Sequence, residues 1–188
     1  GKLSFLLVTN LVKTISELGK IVVSEFQERG GKVIAISGSN GKTTTKEMLS
    51  HILIENHGPE KIICTQKNYN NHLGVPFTLF QIREKTKFAI VELGSNAPGE
   101  IEFLCKMINA DLGVTTNIGD THLEFFETRE NVFTEESVLS KYCGEAFFIN
   151  SDDELLSHIE INSHMVTFGI KAKNYKFNFS GNGIEVNN

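Results

Sequence analysis

The feature that most constrains this chain is the junction at residues 33–48. Val33-Ile34-Ala35-Ile36 is a short continuous apolar run, as expected of a strand buried on both faces. Gly38-Ser39-Asn40-Gly41-Lys42-Thr43-Thr44 follows, and residues 44–54 read as a helix. A glycine loop between a buried strand and a helix turns backbone N–H groups and the positive helix end toward an anion. In such a loop Lys42 reaches the β- and γ-phosphates of a nucleotide, and the Thr43 hydroxyl ligates Mg²⁺. The strict phosphate-loop pattern wants glycine where Ile36 stands, so the cradle here is the shorter Gly-x-x-Gly-Lys-Thr. An incidental Gly-Lys at a helix start is the bland alternative, which the strand before and the helix after oppose.

The rest of the chain repeats the strand–helix rhythm. A helix is expected over residues 9–26, from Leu11, Val12, Ile15, Leu18, Val22 and Phe26 at helical spacing. Strands are expected over 61–65, 88–93, 112–116, 146–150 and 165–168, and helices over 75–81, 98–107 and 129–142. This implies an α/β fold of three layers, a mainly parallel sheet with helices on both faces. The tail departs from it: residues 176–179 and 184–186 flank Ser180-Gly181-Asn182-Gly183 and read as a β-hairpin.

Bulk properties narrow the function. With 18 basic and 23 acidic residues the formal charge is −5, which argues against a nucleic-acid partner. No apolar run approaches the roughly 20 residues of a membrane span, and the first eight residues lack a cleavage-site pattern, so membrane insertion and a signal peptide are not expected. Cys64, Cys105 and Cys143 lie far apart and fit neither a disulfide framework nor a zinc site. They read as reduced thiols of a cytoplasmic protein.

Four segments, in this order and spacing, resemble the Mur ligases. They are the run from Ile36 to Met48, then Asn68-Tyr69-Asn70-Asn71-His72-Leu73-Gly74-Val75-Pro76, the run from Val91 to Ile101, and Thr116-Asn117-Ile118-Gly119-Asp120-Thr121-His122-Leu123-Glu124. Within the family, Thr43-Thr44-Thr45-Lys46-Glu47-Met48 and Glu92-Leu93-Gly94-Ser95-Asn96-Ala97-Pro98-Gly99-Glu100-Ile101 look most like the MurF type. That resemblance covers residues 28–170 and implies a P-loop NTPase-like central ATP-binding domain over 28–188, incomplete at its C-terminal end. Residues 1–27 would be a remnant of, or linker from, a preceding domain. It further implies ATP and Mg²⁺ as cofactors, and an ADP-forming ligase of peptidoglycan precursor synthesis as the parent protein. Its partners would be a UDP-muramoyl peptide and D-alanyl-D-alanine, joined through an acyl phosphate. By the same resemblance Gly38, Ser39, Asn40, Gly41, Lys42, Thr43, Thr44, Asn70, Asn71 and Asn117 line the nucleotide site. Thr43, Glu92 and His122 form the metal shell, and Lys42, His122 and Glu136 are catalytic.

Each residue alone has a duller reading: a glutamate after a strand is a solvated loop charge, and a lone histidine is structural. Glu136 stands where many family members carry a carbamylated lysine, so it either supplies that carboxylate or is a solvated helix charge beside Glu135. A folylpolyglutamate or cyanophycin synthetase-like ligase, and a nucleotide-binding module without ligase activity, remain as alternatives.

Overall fold

A computed structural model describes residues 7–159, 164–180 and 183–187. The chain opens with helix α1 (Leu11–Glu28), capped by the Asn10 side chain, which accepts the Lys13 N–H at 3.0 Å. Then come β1 (Lys32–Ser37), α2 (Lys42–His57), β2 (Ile62–Cys64), α3 (Gly74–Leu79), β3 (Phe88–Glu92), α4 (Glu100–Ile108) and β4 (Leu112–Thr115). They are followed by α5 (Leu123–Phe126), α6 (Arg129–Ser137), β5 (Ala146–Asn150), β6 (His164–Gly169), β7 (Tyr175–Ser180) and β8 (Gly183–Asn187).

The strands form one sheet in the order β2-β3-β1-β4-β5-β6-β7-β8. Every pairing is parallel except β7 with β8, and β6 meets β7 only at Phe168–Tyr175 and Gly169–Lys176. The expected hairpin is therefore present; its turn residues Gly181 and Asn182 lie outside the described residues.

Side chains alternate across the sheet. Val33, Ala35, Ala89 and Val91 join the larger core with α1, α3 and α4, while Ile36, Ile62 and Ile90 pack with Leu49, Leu53 and Ile54 of α2 on the opposite face. Ile36 is wholly buried there, because the strand runs on to Ser37 before the loop begins. Val23 and Phe26 of α1, the helix expected to be a remnant of or linker from a preceding domain, belong to the larger core together with the sheet.

Two details depart from the sequence pattern. The inward stripe of α1 is Ser16, Gly19, Val23 and Phe26, while Leu11 and Leu18 stay exposed. Gly19 lies at the contact: a Cβ there would sit 3.0 Å from Met107 Sδ, so the glycine lets α1 lie close against α4. The helix expected over 129–142 tightens into a 3-10 turn over Val138–Tyr142, where the Ser140 hydroxyl bonds the Ser137 carbonyl at 2.7 Å. All three cysteines are free, with Cys105 and Cys143 buried.

Candidate phosphate and metal site

The chain reverses direction in the sheet at β1, which lies between β3 and β4. Open parallel sheets bind ligands beyond the carboxyl ends of strands at such a point. Register aligns those ends: Ile36 pairs with Glu92 and Ser37 with Thr115.

Gly38 leaves β1 at φ 118°, and a Cβ on it would lie 2.3 Å from Thr116 Oγ1 and 2.9 Å from the Thr116 nitrogen. Only glycine fits that approach. The loop is then fastened to the segment after β4. Ser39 N–H donates to the Asn117 carbonyl at 2.9 Å and Asn40 N–H to Asn117 Oδ1 at 3.0 Å. Gly119 N–H donates to Ser39 Oγ at 2.8 Å, and Thr116 Oγ1 to the Asn40 carbonyl at 2.6 Å. The N–H groups of Gly38, Ser39 and Asn40 thus hold the loop's shape, and anion-facing donors fall to its end. There Gly41, at φ 81°, begins α2 with no side-chain cap, so the first-turn N–H groups of α2 are open. Lys42 Nζ folds back onto the carbonyls of Gly38 and Ser39.

Glu92 ends β3 almost wholly buried, at 2% exposure. Its Oε2 accepts the Thr43 hydroxyl at 3.0 Å, and its Oε1 accepts Asn70 Nδ2 at 3.0 Å. Its own N–H donates to Thr65 Oγ1 at 3.0 Å. Two oxygen donors in contact at a helix start suit a hard cation that keeps waters and phosphate oxygens in its shell. The pair therefore fits Mg²⁺. Beyond Asn70 a cleft of about 390 Å³ opens between α1 and α4, lined by Val12, His72, Gly94, Pro98 and Phe103 among others.

On the other side of the loop Glu136 is buried, and its Oε2 accepts the Gly38 N–H at 2.7 Å. Its carbonyl accepts Ser37 Oγ at 3.1 Å. Burial pushes the Glu136 carboxyl up from its ordinary range, with the Lys42 charge and the Gly38 N–H opposing the rise and Glu135 adding to it. Glu135 is buried too. It accepts Ser95 Oγ at 2.9 Å, Gly99 N–H at 2.7 Å and Ile101 N–H at 2.8 Å, and so caps the start of α4 in place of a residue from α4's own sequence. Neither glutamate is the solvated helix charge that the sequence allowed.

Comparison with known proteins decides the family. The Mur ligase middle domain matches residues 36–187. This chain belongs to that family. The UDP-N-acetylmuramoyl-tripeptide–D-alanyl-D-alanine ligase of Bacillus subtilis is 40% identical over 119 residues, 63% of this chain and 25% of the relative. A crystal structure of MurF from Acinetobacter baumannii superposes with a TM-score of 0.85 at 27% identity, covering 96% of this chain and 43% of that one. The MurF ligase of Thermotoga maritima, solved in complex with ADP, superposes at 0.82 with 27% identity over 96% of this chain and 42% of its own. The chain thus spans between a quarter and under half the length of these relatives.

Within this Mur ligase middle domain the structure gathers Gly38 to Thr44, Glu92, Asn70, Asn117 and Glu136 around the loop. Asn71 instead accepts the N–H groups of Leu73 and Gly74 at 3.1 and 2.9 Å, which starts α3. His122 is exposed at φ 53° before α5, a short helix the sequence pattern did not indicate. Its imidazole makes no hydrogen bond among the described residues, which also hold no cluster of three or more His, Cys, Asp or Glu arranged for a metal. The residues that sequence reasoning missed are Glu135, Thr65 and Lys46. Lys46 left one trace: it falls at helical spacing with Leu49, Ser50 and Leu53, where a lysine on an inward stripe is out of place.

Proposed function

We propose that this chain is the ATP-binding domain of an ADP-forming ligase that adds D-alanyl-D-alanine to a UDP-muramoyl tripeptide in the cytoplasm. The observation that carries the reading is the meeting of Thr43 and Glu92, 3.0 Å apart, beside Lys42 at an uncapped helix start. The relatives' names supply the substrates. Lys42 exchanges the carbonyls of Gly38 and Ser39 for phosphate oxygens, and the N–H groups opening α2 take the remainder. Thr43 and Glu92 would hold Mg²⁺, with Asn70 fixing the Glu92 carboxylate, and the bound cation would supply charge neutralisation at the phosphates. His122, with no bond to surrender, supplies a further contact to metal or phosphate. Asn117 and Glu136 keep the loop in shape, and the cleft beside Gly94 accepts the acyl substrate.

The chemistry is positioning and charge neutralisation. A carboxylate oxygen of the tripeptide attacks the γ-phosphorus, the bond to the bridging oxygen breaks, and ADP leaves an acyl phosphate. The amine of D-alanyl-D-alanine attacks the acyl carbon, loses a proton and expels inorganic phosphate, leaving the amide.

Replacing Lys42 with Ala removes a charge-assisted contact and is expected to weaken ATP binding about ten- to a hundredfold by calorimetry. Unchanged affinity would overturn the loop assignment. On the full-length gene product, ADP release is expected to require both muramoyl tripeptide and D-alanyl-D-alanine. Nucleotide binding indifferent to both would favour a module without ligase activity, and dependence on a folate or cyanophycin primer would move the protein to another branch.

A further inference from the structure

Lys46 has no part in the reaction just described, yet it is 1% exposed and sits against the metal-side carboxylate. Its Nζ donates to the Thr65 carbonyl at 2.7 Å and lies 3.0 Å from Glu47 Oε1 and 3.8 Å from Glu92 Oε2. The Thr65 hydroxyl accepts the Glu92 N–H, so one residue anchors both partners. An ammonium removed from water needs a countercharge. The Glu47 side chain is 51% exposed and screened by solvent, whereas that of Glu92 is 3% exposed. Glu92 is therefore the partner whose charge Lys46 balances most directly.

We propose that Lys46 is a positioning residue that makes divalent-cation binding depend on the nucleotide. It holds Glu92 in place beside Thr43 and cancels its charge, so the Thr43–Glu92 pair attracts a bare cation poorly. One further observation supports this. Among the described residues no cluster of three or more His, Cys, Asp or Glu is arranged to hold a metal, at Glu92 or elsewhere. The negative charge that recruits the cation must then arrive with a polyphosphate, and the two bind as a complex. The inference rests on the nucleotide reading above.

Mn²⁺, followed by electron paramagnetic resonance on the full chain with and without ADP, tests it. The native chain is expected to bind Mn²⁺ weakly alone and much more tightly with ADP. Lys46→Met should bind nucleotide-free Mn²⁺ at least about tenfold more tightly, because one repelling charge beside the site is gone. Lys46→Met/Glu92→Gln should lose that gain, and Lys46→Arg should behave as the native chain does. Circular dichroism checks the fold; if Lys46→Met does not fold, Lys46→Gln, which retains a donor, makes the same comparison. Unchanged nucleotide-free affinity in a folded charge-removal variant would overturn the proposal. So would a native chain that binds Mn²⁺ as tightly without ADP as with it, an outcome that needs no variant. A native chain that binds Mn²⁺ in neither condition would overturn the nucleotide reading and this inference with it.

Discussion

Glu92 and Glu136 are both buried carboxylates against the phosphate loop, and they are held by opposite means. Glu92 is surrounded by side-chain donors, Thr43 and Asn70, with the Lys46 ammonium at 3.8 Å. Glu136 accepts a backbone N–H, that of Gly38, and Lys42 bonds loop carbonyls beside it. A carboxylate held by a hydroxyl and an amide can exchange those donors for a metal ion without disturbing the chain. One that holds a main-chain N–H cannot leave without releasing the loop. On the reading proposed above Glu92 is a ligand and Glu136 a frame, so the metal-binding role that its sequence position suggested is not expected of Glu136.

The largest effect should come from the frame. Gly38→Ala places a Cβ 2.3 Å from Thr116 Oγ1 at φ 118°, and is expected to cost about 3 kcal/mol or more in urea unfolding. A near-neutral result would mean that the loop is not clamped between Glu136 and Thr116. Next, Glu92→Gln keeps the side chain's shape and should weaken Mg²⁺-dependent nucleotide binding about tenfold or more. Glu136→Gln should leave the Mg²⁺ requirement unchanged. If it raised that requirement severalfold, Glu136 would join Glu92 as a ligand and the contrast would disappear.

The smallest effect is in pH dependence. Burial raises the folded-state pKa of Glu136 above its ordinary 4.5. A carboxyl raised in this way stabilises the fold fully below 4.5, and that contribution is lost as pH climbs through the raised value. The stability of the native chain relative to Glu136→Gln should therefore fall as pH rises from 4.5 toward neutrality, read as urea midpoints. A difference that grows with pH would mean that Lys42 and the Gly38 N–H outweigh desolvation.

The strand, loop and helix at residues 32–57 were legible from order alone, because a buried strand is a continuous apolar run and a phosphate loop needs its glycines. The parallel sheet followed from the rhythm of elements. Glu92 and His122 were marked by lying at or after strand ends, where ligands bind, and Asn117 by its place in a motif that resembles the Mur ligases. Tertiary structure decided the rest. The facing stripe of α1 is the one that packs on α4, where Gly19 meets Met107, a residue 88 positions away. Glu135 as the cap of α4, and Lys46 as the partner of Glu92, likewise come from elements brought together only by folding. A charged residue carries no mark in sequence of whether water or another buried charge will face it. That is settled by which surfaces pack, and packing put three glutamates and a lysine inside where composition alone would leave them in solvent.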